Sequence, residues 1–204
     1  MADGRGDAAT RIHFIAGPPS HGWNEHEHVD GCRLLAEALR RAKLNVIATV
    51  HTNGWPARAD ALEGADALVL YGDGGDAHVA AGQADALRRL SEAGTGIGVL
   101  HYALMPGGEP LERALMACIG GVYDPAWSVN PIWTMTDPKL ARHPVTSGVN
   151  PFALREEWYF HIRFREDGEG ITPLLSALPP PEVVSERDAP HRGNPAVRQA
   201  IAER

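Results

Sequence analysis

The stretch ADALVLYGD, Ala65 to Asp73, is apolar or aromatic at every position from Ala67 to Tyr71 and then stops on Gly72 and Asp73. A strand with one wet face alternates apolar and polar residues. An unbroken run of this length therefore reads as a strand covered on both faces, the situation of a parallel sheet. The same texture recurs on either side: RIHFIAG (Arg11 to Gly17) and NVIATV (Asn45 to Val50) precede it, and GIGVLHYA (Gly96 to Ala103) follows. Between the first two, Cys32, Leu35, Ala36, Leu39 and Ala42 recur at helical spacing with Arg33, Glu37, Arg40 and Arg41 opposite them, which predicts an amphipathic helix over Glu25 to Lys43. The alanine-rich stretch Asp76 to Ala93 predicts another helix ahead of the fourth strand. Strands alternating with helices give the fold class: α/β, a three-layer α/β/α sandwich with a mainly parallel sheet.

Beyond Pro106 the rhythm changes. A helix over Glu109 to Ile119 stops at Gly120-Gly121, a strand is expected near Ile132 to Thr136, and HPVTSGV reads as a turn. Two more strands are expected over Glu156 to Phe164 and Gly170 to Leu178, and a short helix from Pro195. The first ten residues carry no apolar pattern and read as a disordered tail, leaving 11–204 as a single domain without internal repeat or linker.

A chain of 204 residues that is 44% hydrophobic and 22% charged can bury a sizeable core, in keeping with one domain. Its net charge of -7, with no basic run longer than pairs such as Arg40-Arg41, argues against nucleic acid and for a small-molecule or protein partner. No run of eighteen apolar residues exists to cross a membrane, and the N-terminus has no signal-peptide core. The expectation is a soluble, cytoplasmic protein. The two cysteines, Cys32 and Cys118, each fall in a predicted helix, which argues against a disulfide framework.

The polar residues of interest gather at strand ends. His21 follows the first strand, His51 ends the second, Asp73 ends the third and His101 lies near the end of the fourth. Ligands of open parallel sheets bind in the crevice beyond the carboxyl ends of the strands, so these four share the rim where a site is expected. The segment PSHGWNEHEHVDG, residues 19 to 31, adds His26, His28, Glu25 and Glu27. Imidazoles beside carboxylates can hold zinc or manganese, although the spacing H-x4-H-x-H is not a standard ligand pattern. A plainer reading is a capping box, Asn24 with Glu27, opening a helix. Helical phase points His28 toward the core and leaves His26 flanking. At the strand–turn after GVL, where α/β enzymes mount a nucleophile, stand His101 and Tyr102, with neither Ser nor Cys. Imidazole there suits proton transfer or metal ligation better than covalent catalysis. It also suits a strand end closed by a simple hydrogen bond.

The blocks FIAGPPSHGWNEHEHVDGCRLL, GVLHYAL, GGVYDPAWSVNPIWT, HPVTSGVNPFALREEWYFHIRF and PHRGNPAVR, in this order over Arg11 to Arg198, resemble the ThuA-like (trehalose utilization) family. The resemblance implies a flavodoxin-like sandwich similar to class I glutamine amidotransferases but without their cysteine. It implies a place in the catabolism of trehalose or related glycosides, including 3-keto sugars, and a divalent metal in some relatives. It puts weight on Ser20, His21, Gly22, Glu25 and His26 in the SHG…EH block, favouring His26 over His28, and on His101 and Tyr102 at the elbow. In EEWYFHIRF it marks Glu157 and His161, which four residues apart on a strand would face one side. Trp127 and Trp133 are candidate platforms for a sugar face, although buried aromatics more often simply pack.

The implied chemistry is a divalent metal, zinc or manganese, on His21, His26 and His101, with His101, Glu157 or His161 moving a proton and Ser20, Gly22, Tyr102, Trp127 and Trp133 around the substrate. The alternative is a noncatalytic sugar-binding or scaffold module. Relatives continue past GNPAVR into further strand and helix with a Gly-His element, whereas this sequence stops at Arg204, so it is either truncated or lacks a sheet edge. An exposed edge favours association, which makes a homo-oligomer the expectation.

Overall fold

The apolar run of the first strand forms β1 (Thr10–Ala16), and the three runs after it form β2 (Val46–His51), β3 (Ala67–Tyr71) and β4 (Gly96–Leu100). The computed structural model describes residues 8–183, apart from 167 and 169, and 195–203. The four strands make one parallel sheet in the order β2-β1-β3-β4. This is the start of the flavodoxin-like order, and it places a topological switch point between β1 and β3. Both faces of the sheet are covered. On one, α1 (His28–Arg41) lays Cys32 and Ala36 against Phe14 and Ala16, with Ile12, Ala48, Val50 and Val69 around them. On the other, Ile15, Leu68 and Leu70 are fully buried, each side chain contributing about 1.5–3 kcal/mol of transfer free energy. Unbroken apolarity in β1 and β3 is the sequence trace of that double covering.

The register sets the site. Ala16 lies level with Tyr71, and Tyr71 with Leu100, so three strands end on one line. Just past it Gly17 and Gly72 approach so closely that a Cβ on Gly17 would stand 3.0 Å from the Gly72 Cα. The chains leaving β1 and β3 therefore start side by side.

The chain divides into two compact units, Met1–Ile119 and Gly120–Arg204. The first also holds α2 (Ala84–Glu92) and α3 (Glu109–Ile119). The second is built of short antiparallel pairs: β5 (Gly121–Val122) with β9 (Arg163–Phe164), β6 (Ile132–Thr136) with β8 (Ala153–Glu157), and β7 (Lys139–Leu140) with β10 (Leu175–Ser176), followed by α4 (Pro195–Ala202). Among the described residues no helix is long and apolar enough to cross a membrane. Cys32 and Cys118 are free thiols, and burial pushes Cys32 up to about 11, which makes it inert.

Several boundaries differ from expectation. The first helix starts at His28 rather than Glu25, because Glu25 N–H bonds back to Gly22 O and Ser20 bridges to His26 in a tight loop. Its N-cap is Glu27 without a side-chain cap, so the expected capping box survives only as Glu27 reaching back to Asn24 N–H. The predicted helix from Asp76 is a short 3-10 turn (Gly75–Ala77), and α2 waits until Ala84, past Gly82 at φ 70°. The fourth strand stops at Leu100 and becomes a 3-10 turn, His101–Leu104. The strand expected over Glu156 to Phe164 splits into β8 and β9, since His161 takes φ 60°, which no extended strand accommodates. Glu157 and His161 therefore do not share a strand face. Of Gly170 to Leu178 only Leu175–Ser176 is strand. The expected disordered tail falls largely on residues 1–7, outside the described residues, while Thr10 already belongs to β1.

Candidate functional site

Past β1 the chain runs through Gly17-Pro18-Pro19 into a knot that ends where α1 begins. Gly22 N–H donates to Glu25 Oε2 at 2.7 Å, and Asn24 N–H to Glu27 Oε1 at 3.2 Å. His21 and Asn24 both take positive φ, 64° and 65°, a region that residues with a Cβ seldom enter. The knot sets the rings of His21 and His26 against each other with centroids 3.9 Å apart.

Asp73, two residues past the end of β3, is the centre of the arrangement. Its Oδ1 accepts from Ser20 Oγ at 2.9 Å and lies 3.3 Å from His26 Nδ1 and 3.9 Å from His21 Nδ1. Ser20 Oγ also stands 3.0 Å from His21 Nδ1 and 3.3 Å from His26 Nδ1. His21, His26 and Asp73 each offer one ligand atom, and these atoms all lie within 4.8 Å of one another. Asp73 keeps 15% of its side chain exposed and His21 50%, so the group is open from one side. The sequence placed Asp73 on the rim but assigned it no role. Its signal was position, since the residues after β1 and β3 flank the switch point.

His101 enters from β4. Its Nε2 is 3.2 Å from His26 Nε2, with the rings edge to face. It too has positive φ, 54°, at the elbow where related folds mount a nucleophile. The turn carrying it is pinned from beneath. Buried His78 donates from Nε2 to Ala103 O at 2.7 Å and accepts from Ala80 N–H at Nδ1, while Gly75 N–H donates to Met105 O. Burial holds the His78 imidazole below its ordinary value, partly offset by the Ala103 carbonyl. Tyr102, half-buried in the same turn, follows His101 directly.

His28 is fully buried on α1, as helical phase predicted. Its Nδ1 meets Pro18 O at 2.8 Å, its ring stands edge-on to Tyr71, and its Nε2 lies 3.9 Å from Asp73 Oδ1 without a hydrogen-bond partner. His51, the fourth expected rim residue, pairs with buried His13 of β1, Nε2 to Nδ1 at 3.0 Å with the rings stacked. Burial lowers both imidazoles, and His51 and Arg11 lower His13 further.

The remaining candidates belong to the second unit. Glu157 Oε1 accepts from Asn130 Nδ2 at 2.7 Å, and Asn130 Oδ1 accepts from Tyr123 O–H at 3.2 Å. His161 stacks on Trp127 with centroids 4.3 Å apart, and Trp127 leaves 40% of its surface exposed. Ser128 Oγ donates to the His161 carbonyl, fixing the strained turn. Trp133 lines a cavity of about 520 Å³ with Thr134, Asp137, Lys139 and Ser176. Its indole N–H is buried and finds no acceptor among the described residues.

A family model described as ThuA, trehalose utilisation, matches residues 18–191. No curated protein matches the chain. Among solved structures, a putative ThuA-like protein from Bacteroides uniformis is similar at 14% identity with a TM-score of 0.51, over 90% of this chain and 76% of that one. At that identity the likeness speaks for the fold alone. The family match runs from the Pro18-Pro19 turn through the whole histidine knot and far into the second unit, which leaves one conclusion: the chain belongs to the ThuA family of trehalose utilisation.

Proposed function

We propose that the protein acts on trehalose or a related glycoside, a 3-keto sugar foremost, by metal-assisted proton transfer of the lyase, isomerase or hydrolase kind at the cluster of Ser20, His21, His26, Asp73 and His101. The observation that carries this reading is the convergence on Asp73 Oδ1 of one hydroxyl and two imidazoles from a separate strand end.

The donor set, imidazole plus carboxylate, fits a divalent cation such as zinc or manganese. Two ligands of one zinc ion stand at most roughly 4.3 Å apart, so a group already within 4.8 Å needs only small side-chain adjustment. Held by His21, His26 and Asp73, such an ion supplies Lewis acidity toward a carbonyl or hydroxyl oxygen. With Nε2 turned to His101, His26 would offer such an ion its Nδ1, the nitrogen that faces Asp73 Oδ1, and Ser20 braces Asp73. His26 and His101 face each other through Nε2, where one ring nitrogen must donate and the other accept. His101, offered by the sequence both as ligand and as acid–base group, is therefore assigned to moving the proton. A ketone acidifies its neighbouring C–H, so this chemistry needs no nucleophilic Ser or Cys at the elbow. In the second unit Trp127, backed by His161, offers an open aromatic face to a sugar ring. Glu157 and His161 stand as further candidates for proton transfer, each to be tested by its own variant.

The test is elemental analysis of purified protein together with turnover of 3-keto-trehalose by wild type, His26→Ala and His101→Ala. Bound metal, lost in His26→Ala, with turnover lost in both variants, is expected. Metal-free protein working at full rate overturns the proposal. The open Trp127 face also suits a noncatalytic sugar-binding module, which predicts thermal stabilisation by the sugar without product.

A further inference from the structure

The cluster hangs from the ends of β1, β3 and β4, and one short segment touches all three. After Asp73 the chain runs through Gly74 to Ala80, and His78, Val79 and Ala80 are buried. Val79 lies over the close approach of Gly17 and Gly72: a Cβ on Gly17 would stand 3.2 Å from Val79 Cγ1, and one on Gly72 would overlap it. Gly74 abuts the turn after β4, since a Cβ there would stand 2.6 Å from Tyr102 O, and Gly75 N–H donates to Met105 O at 3.0 Å. The His78 ring closes this contact. Its Nε2–H donates to Ala103 O at 2.7 Å and its Nδ1 accepts from Ala80 N–H at 2.9 Å. A carbonyl only accepts and an amide N–H only donates, so both nitrogens are satisfied in one tautomer and one ring orientation.

We infer that His78 is a positioning residue for the proton transfer at His101: by anchoring Ala103 to the segment that begins at Asp73, it holds the His101 ring against His26. The inference rests on the reading of His101 as the group that moves the proton. His101 has φ 54° and opens the 3-10 turn His101–Leu104, a strained start that persists only where the surroundings over-determine it. Ala103, the anchor point, belongs to the same turn and is fully buried. Without that anchor nothing in the turn obliges His101 Nε2 to keep its 3.2 Å approach to His26 Nε2. Proton transfer between aligned groups loses rate steeply on small misplacement. Substrate affinity, supplied by the rest of the cluster, is spared.

The two bonds of His78 can be separated by substitution. Gln places an amide N–H where Nε2 stands and keeps the Ala103 anchor, whereas Asn places an oxygen where Nδ1 stands and keeps only the Ala80 bond. The experiment measures kcat and KM on 3-keto-trehalose, and the NOE between the His26 and His101 rings, in the full chain. It compares wild type, His78→Gln, His78→Asn and Gly74→Ala, the last leaving His78 intact but driving a Cβ against Tyr102 O. His78→Asn and Gly74→Ala are expected to lower kcat about 100-fold, with KM within about twofold of wild type, and to lose the NOE. His78→Gln should recover most of the kcat and the NOE, although both His78 variants give up one buried hydrogen bond. Equal kcat in the two His78 variants, or wild-type kcat in Gly74→Ala, overturns the role of His78. Should His78→Asn fail to fold, His78→Gln and Gly74→Ala carry the comparison. Wild type without turnover overturns the reading of the reaction instead, and the NOE, kept in His78→Gln and lost in Gly74→Ala, then decides by itself whether His78 places His101.

Discussion

Two groups of histidines sit on the same sheet and meet opposite fates. His13 and His51 lean on each other with no carboxylate beside them among the described contacts, and burial holds both imidazoles down. His21, His26, His28 and His101 gather about one half-buried carboxylate, two of them on strained backbone. The difference teaches what turns histidine from packing into chemistry. The first pair spends one nitrogen of each ring on the other. The second set leaves donor capacity unspent around an anion, at the one place in the sheet where strand order reverses.

The largest expected effect that could break this contrast is on metal. Asp73→Ala should reduce Zn2+ or Mn2+ affinity by more than about 100-fold in a chelator-competition titration, whereas His13→Leu should leave it unchanged. Equal loss in both would erase the distinction. Next comes Leu70→Ala beneath the same rim, expected to cost about 2–5 kcal/mol in urea unfolding through the cavity it leaves, while keeping metal affinity. A drop in affinity of the same size would make the cluster a by-product of overall stability.

Acid sharpens the comparison from the other side. His13, His51 and His78 have folded-state values below the ordinary 6.5, so the unfolded chain binds protons that the folded chain refuses. Their contribution is fully present above pH 6.5 and is lost as the pH falls from there toward the folded values. Urea unfolding at pH 7.5, 6.0 and 5.0 should show this decline, and a His13→Leu/His51→Leu double variant should flatten it. Smallest is Trp127→Ala. It should change Tm by no more than a few degrees, since the ring is 40% exposed, yet abolish any stabilisation by added sugar.

Much of the fold was legible because its signals are local. Unbroken apolar runs marked all four parallel strands to within a few residues, and helix α3 matched its expected bounds. The histidine rim was legible as strand ends. Asp73 as the centre was not, because a carboxylate after a strand looks the same whether it faces solvent or three imidazoles. Nor did sequence reveal that His51 would turn to His13, or that His161 would leave the extended conformation for its stack on Trp127. Those outcomes depend on partners 38 and 34 residues away.

Sequence by itself determined the layers, the parallel direction and the absence of a serine or cysteine at the elbow, because periodicity and residue type act over a few neighbouring positions. Tertiary structure alone decided which polar ends meet. Ala16, Tyr71 and Leu100 had to end level before Ser20 could bond to Asp73 and His101 could meet His26, and strand register is a property of pairing across the chain, which no short stretch encodes.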